Sequence, residues 1–285
     1  MHLYKTLKGN VLQKEGQFYK IGVTWDKLIN REDLFAYLQE SLKEEWKLDA
    51  TTANQWLTDF LLPPIGSQEV WAAGVTYLRS RDARMEESED SGAADCYQRV
   101  YEAERPELFF KSLPHRVAGP GGIVHIRKDS TWDVPEPELT LFISTGGNIQ
   151  AYTIGNDMSS RSIEGENPLY LPQAKMYERS AALGPCLWIL DKPISPDTKI
   201  QMEIIRDGVK LFDDATSLNR MKRSLTELAG WLFKEMDFDS GAFLMTGTCV
   251  VPPNDFTLKE GDIVNIYIEG IGTLTNTIGI KISKK

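Results

Sequence analysis

WDVPEPELTLFISTGGNIQAYTIGND runs from Trp132 to Asp157. Two apolar runs, LTLFIST and IQAYTIG, flank Gly146 and Gly147. Two glycines between apolar runs supply the backbone freedom of a tight hairpin turn, so the stretch predicts a pair of antiparallel strands. A Gly146–Gly147 loop puts Glu136 opposite Asp157, and a Gly147–Asn148 loop puts Glu138 there instead. Side chains alternate with period two, so in either register Glu136, Glu138 and Asp157 share one face. Gly155, Thr153 and Ala151 follow Asp157 on that face and are small enough to leave room. Pro137 lacks an N–H and marks an edge or a bulge. Three carboxylates on one patch repel one another and require protonation, a lysine or a divalent cation. Oxygen-only ligands favour a hard ion, Mg²⁺ first, with Mn²⁺ or Ca²⁺ as alternatives. Three protein ligands leave about three octahedral positions, two of which the carboxylate and keto oxygens of a 2-oxo acid can fill. The competing reading is a charged strand end facing solvent.

The chain has 285 residues, enough for one large domain or a small and a large one. Lys and Arg number 32 against 41 Asp and Glu, a net charge of −9 that repels phosphate backbones and argues against nucleic acid as a partner. An anionic substrate therefore needs local cations. Cys96, Cys186 and Cys249 lie far apart without a CxxC pair, which points to reduced thiols in a cytoplasmic protein. The start, MHLYKTLKGN, has no apolar signal core, and no run approaches the roughly 18 apolar residues of a membrane span.

Residues 1–66 read as a small N-terminal domain. Leu34, Leu38 and Leu42 recur at helical spacing within REDLFAYLQESLKEEW, and LLPPIGSQ marks a boundary. Residues 67–285 read as a β-rich body of short apolar runs punctuated by Gly, Pro and Asp, with GPGG at 119–122 as a turn. MKRSLTELAGWLFKEM is its one clear helix, with Ser224 and Glu227 forming a capping box. LKEGDIVNIYIEGIGTLTNTIGIKI returns to strands. Residues 81–104 are charged and poor in large apolar side chains, with a helix expected from Ala93 to Ala103. They read as a solvated insertion or as a lid over a site. The irregular segment after the hairpin, NDMSSRSIEGENPLYLPQAKMYERSAALGP, offers Arg161 and Lys175 as cations beside the carboxylates and ends in AALGP, read as a tight turn.

Other machinery is missing. His2, His115 and His125 have no ligand spacing, and no GxSxG, Walker or GxGxxG motif occurs. Acid–base work falls to carboxylates and lysines. VPEPELTLFIS, YTIGNDMSSR, the lysine of AKMYERSAALGP, MTGTCVVPP and LKEGDIVNIYIEGIGTL together resemble the fumarylacetoacetate hydrolase family over roughly residues 70–280. The resemblance implies a mixed, β-rich fold, a β-roll with a small α/β N-terminal domain. It also implies a homodimer or dimer of dimers, and a divalent metal held by Glu136, Glu138 and Asp157 with Lys175 as the site lysine. The family's hydrolases and decarboxylases activate water with a histidine and a glutamate. In this chain those positions fall on Ser80 and Ala83, within GVTYLRSRDARMEES. The branch resembled is thus the sugar-acid dehydratases, whose 2-oxo acid substrate needs an electron sink and proton shuttles but no hydroxide. Lys175 and Glu107, the latter just before LFF, are the candidate bases, with Glu86 and Glu87 behind them. Arg81, Arg161, Thr246, Gly247 and Thr248 are the candidate substrate-binding residues. The alternatives are a hydrolase or decarboxylase of acylpyruvates and a catalytically inert metal-binding relative.

Overall fold

The structure is a computed structural model that describes residues 1–78, 94–248 and 250–282. Arg81, Ser80, Ala83, Glu86, Glu87 and the first part of the expected lid lie outside the described residues, as does Cys249. The strands are β1 (His2–Thr6), β2 (Gly9–Lys14), β3 (Gln17–Ile21), β4 (Lys47–Leu48), β5 (Glu69–Gly74), β6 (Glu107–Ser112), β7 (Val117–Ala118), β8 (Ile123–Ile126) and β9 (Asp133–Val134). They continue with β10 (Pro137–Ile143), β11 (Ile149–Asp157), β12 (Ser159–Ser160), β13 (Ala181–Trp188), β14 (Lys199–Arg206), β15 (Val209–Ser217), β16 (Ala242–Met245), β17 (Ile263–Ile268) and β18 (Gly272–Ile280).

A long mixed sheet has the order β4-β3-β2-β1-β13-β11-β10-β16-β5-β6, with β7 alongside β13. A second sheet, β15-β14-β17-β18-β8, packs on one face. Leu139, Leu141 and Ile143 of β10 meet Met202, Ile204, Val264 and Ile266 of that sheet, together with Leu228 and Leu232 of the helix Leu225–Leu232. Phe142 points the other way, into a core made with Leu28 and Ile29 of the helix Trp25–Ile29 and with Leu34 and Leu38 of the helix Leu34–Glu40. With both faces covered, β10 is buried along its whole length, Glu138 and Thr140 included. The strands of residues 1–21 join the long sheet through β1–β13, and the N-terminal helices share its core, so packing is continuous across position 66.

The hairpin differs from a two-residue turn. Gly147 has φ 79° and its N–H donates to the Ser144 carbonyl at 2.9 Å, while Ser144 N–H donates to the Asn148 carbonyl at 3.0 Å. The loop is therefore Thr145–Gly147, a turn closed by a left-handed glycine. Ile143 pairs with Ile149 but Phe142 with Ala151, so Gln150 is a bulge residue. The bulge restores the register in which Glu138 faces Gly155. Glu32 clasps this turn, accepting from Ser144 Oγ, Gly146 N and Asn148 Nδ2 at 2.8–2.9 Å.

Two local expectations change. The helix over Leu34 stops at Glu40, because the Ser41 hydroxyl turns back onto the Tyr37 carbonyl, and Leu42 falls beyond it. AALGP is not a turn. It lies within β13, and Pro185 sits at a register shift where its missing N–H breaks no ladder bond. The helix expected from Ala93 to Ala103 is observed as Ala94–Glu102. Arg223 donates to the Val100 and Ala103 carbonyls at its C-terminal end, at 3.2 and 2.7 Å. The Ser224–Glu227 capping box is present as read.

Candidate metal centre

The carboxylates of Glu136, Glu138 and Asp157 converge, with one oxygen of each within 4.8 Å of the others, and all three are buried. The hairpin brings them together. Glu138 pairs with Gly155, and Asp157 N–H donates to the Glu136 carbonyl at 3.0 Å, so period two turns all three side chains to one face. A Cβ on Gly155 would lie 2.3 Å from Thr140 Oγ1 and 3.1 Å from Met245, so only glycine fits beside Glu138.

The same face continues across the sheet. Thr140, Met245, Ala72 and Phe109 form one cross-strand row over β10, β16, β5 and β6. Just past the end of β16, Gly247 N–H meets the Glu138 carboxylate, and Gly74 pairs with Glu107. Counted along the sheet, three strand spacings of roughly 4.8 Å separate Glu138 from Glu107. Glycine floors the space between. The Glu107 carboxylate leans over that floor, since a Cβ on Gly74 would meet its Oε2 at 1.9 Å. A Cβ on Gly247 would meet Thr76 Oγ1 at 2.0 Å.

Cations fill the gaps between the carboxylates. Lys175, at the end of the helix Leu171–Lys175, is 1% exposed. Its Nζ donates to Glu136 Oε2 at 2.6 Å, Asp157 Oδ2 at 3.2 Å and Ser159 Oγ at 2.5 Å. Arg161 Nη2 donates to Glu136 Oε1 at 3.2 Å, and its guanidinium lies 5.9 Å from the Trp132 ring. Lys111, which the sequence reading passed over, ion-pairs with Asp157 Oδ1. Glu138 has no such partner among the described residues. It accepts from Gly247 N–H at 2.6 Å.

The electrostatics follow. Burial, then repulsion from Asp157 and Glu136, pushes the Glu138 carboxyl well above its usual range. Burial would raise Asp157 too, but Lys111 and Lys175 outweigh it and hold that carboxyl below its ordinary value. Burial lowers the Lys111 ammonium to about 8. Thus positive charge is short at Glu138, and the donors are all oxygens. A hard dication fits this site because it would supply the missing charge and replace the Glu138 proton. The three histidines stand elsewhere, with His2 on the Gly270 carbonyl and His125 on that of Glu178.

The remaining candidates are placed as follows. Thr246 Oγ1 donates to the Leu139 carbonyl at 2.8 Å, and the Thr246 carbonyl accepts from Thr76 Oγ1 at 2.7 Å. Gly247 is on Glu138, and Thr248 is buried with its hydroxyl 3.5 Å from the Val250 carbonyl. Lys111 carried one faint signal, a lysine inside the strand ELFFKS.

The chain is 49% identical over 216 residues to a probable 2-keto-3-deoxyxylonate dehydratase of Haloferax volcanii, covering 75% of this chain and 73% of the relative. It is 40% identical over 217 residues to a 2-dehydro-3-deoxy-D-arabinonate dehydratase of Saccharolobus solfataricus, with 75% and 73% covered. A hexagonal crystal form of 2-keto-3-deoxyarabinonate dehydratase superposes with a TM-score of 0.86 at 31% identity, covering 99% of each chain. The 2-keto-3-deoxy-D-arabinonate dehydratase complexed with magnesium and 2,5-dioxopentanoate superposes at 0.83 with 29% identity and the same coverage. The profile of the fumarylacetoacetate (FAA) hydrolase C-terminal region matches residues 70–279, and the chain belongs to the fumarylacetoacetate hydrolase family.

Proposed function

We propose that this protein is a Mg²⁺-dependent hydro-lyase that removes one water from a 2-keto-3-deoxy sugar acid, as in the conversion of 2-keto-3-deoxy-arabinonate to 2,5-dioxopentanoate. The observation that carries the reading is the glycine-floored space with the carboxylate trio and Lys175 at one end and Glu107 leaning in from the other. Both relatives at 40–49% identity bear names of this activity.

Glu136, Glu138 and Asp157 hold the cation. When bound, Mg²⁺ acts as a Lewis acid that draws electron density from the 2-oxo group and so acidifies C3. The site suits an anion. Lys111, Lys175 and Arg161 already match the three ligand carboxylates in charge. With Lys175 neutral, a dication, Lys111 and Arg161 still outweigh the three ligand carboxylates by one charge, which suits a substrate carboxylate. Lys175 Nζ, left as the neutral amine once the dication takes over its charge on Glu136 and Asp157, takes the proton from C3. Glu107 protonates the departing C4 hydroxyl and then takes a proton from C5, after which C3 and C4 are each protonated and the C5 hydroxyl gives up its proton. These steps convert the C5 alcohol to an aldehyde while C4 becomes a methylene. Atoms balance as substrate to product plus one water, and no nucleophilic hydroxide is required. Arg161, locked between Glu136 and Trp132, fixes the Glu136 carboxylate and contributes to substrate binding with Arg81, Thr246, Gly247 and Thr248. We further propose that residues 67–285 form the catalytic unit and residues 1–66 a small domain extending its sheet. The homodimer and the role in pentose catabolism rest on the family resemblance, and the cytoplasmic setting on the unpaired cysteine spacing.

The test follows the products of a 2-keto-3-deoxy-pentonate by mass and NMR. A product lighter by one water with an aldehyde at C5 supports the proposal. Cleavage into two carbon fragments, or turnover of acylpyruvates with none of the sugar acid, overturns it.

A further inference from the structure

Lys111 has no role in the reaction steps above, yet its side chain is fully enclosed. Trp71 pairs with Phe110 and Val70 with Ser112, so Lys111 is the extra residue of a β-bulge, a device that re-aims a side chain beside a site. Its ammonium donates to the Met158 carbonyl at 3.0 Å and the Lys175 carbonyl at 2.5 Å and forms an ion pair with Asp157 Oδ1. No donor is left over to follow a substrate. The other Asp157 oxygen, Oδ2, accepts from Lys175 Nζ, which also holds Glu136 Oε2, so Oδ2 lies on the Glu136 side.

We propose that Lys111 is a positioning residue that sets which metal the site prefers: by occupying Oδ1, it restricts Asp157 to a single oxygen towards the cation. This rests on the proposed binding of the metal by Glu136, Glu138 and Asp157. Mg²⁺ demands six ligands in a tight octahedron, which single carboxylate oxygens and water supply. Ca²⁺ takes six to eight and gains from carboxylates that chelate through both oxygens. A lysine paired with Oδ1 blocks chelation by Asp157. It thereby withholds from Ca²⁺ a contact that Mg²⁺ does not use.

The experiment measures Mg²⁺ and Ca²⁺ dissociation constants by calorimetry on the metal-stripped full-length protein, with no turnover involved. Lys111→Met should shift the affinity ratio towards Ca²⁺ by about tenfold or more, the size of effect typical of residues that orient ligands. The ratio is internal to each sample, so a partly unfolded fraction does not alter it. A ratio within about threefold of wild type overturns the proposal. Asp157→Asn separates the two readings, because it should weaken both ions. If it binds both as well as wild type, the metal reading itself fails and takes this proposal with it. If Lys111→Met does not fold, the wild-type protein crystallised with Ca²⁺ decides. Asp157 giving one oxygen with Lys111 still on Oδ1 supports the proposal, and a chelating Asp157 with Lys111 displaced refutes it.

Discussion

Lys175→Met removes the group that ties the carboxylates together while keeping a side chain of similar length and volume. Lys175 is 1% exposed and bonded to Glu136, Asp157 and Ser159. Removing one partner of a buried ion pair costs about 3–5 kcal/mol. The lower end applies here, because Glu136 keeps Arg161 and Asp157 keeps Lys111. For a chain of this length, about 3 kcal/mol corresponds to a fall in Tm of roughly 6 °C for the metal-free protein. Saturating Mg²⁺ should narrow that gap, since a dication offsets the same repulsion. Turnover of the sugar acid should fall by about 10²–10⁴, the range for loss of a general acid–base group. Calorimetry should still show a bound ion, because Lys175 is not a ligand. A metal-loaded Lys175→Met enzyme with kcat within about tenfold of wild type would refute the assignment of the C3 proton to Lys175.

EDTA should abolish turnover and Mg²⁺ or Mn²⁺ restore it, while Asp157→Asn should weaken Mn²⁺ binding by more than about tenfold, as an amide is a poorer ligand for a hard dication. Full activity in a preparation verified free of metal by mass spectrometry would contradict this. Gly74→Ala should displace the Glu107 carboxylate, whose Oε2 would lie 1.9 Å from the new Cβ, and lower kcat at least about tenfold. Its Mn²⁺ affinity should be unchanged, so equal losses in both would point to general disruption instead. Burial holds the Asp133 carboxyl at about 6, above its ordinary 3.8. An acid raised on folding favours the folded state most below about pH 4, and that contribution is lost as pH rises through about 6, for a total of roughly 3 kcal/mol. Asp133→Asn should therefore flatten the dependence of stability on pH between 4 and 6 in urea unfolding, and an unchanged slope would argue against a buried, protonated Asp133.

The sequence by itself carried the hairpin, the shared face of Glu136, Glu138 and Asp157, and the Ser224–Glu227 cap. Each depends on residues near in the chain, where period two or a three-residue spacing is enough. It left the hairpin register open between two loops, because the deciding bulge at Gln150 depends on pairing along the whole strand. It overextended the helix at Leu34 and read AALGP as a turn, because a serine side chain and a bulge override spacing and composition. Tertiary structure alone decided three things. The first is the joining of residues 1–21 to the long sheet through β13, a contact distant in sequence. The second is the grouping of Glu138, Gly247, Gly74 and Glu107, drawn from β10, β5, β6 and the residues just past β16, whose order in the sheet no local pattern encodes. The third is Lys111, which in sequence is one lysine after two phenylalanines. Only the packing of β6 against the end of β11 turns it onto Asp157, because a charge buried that deeply must find its counter-ion wherever the fold brings one.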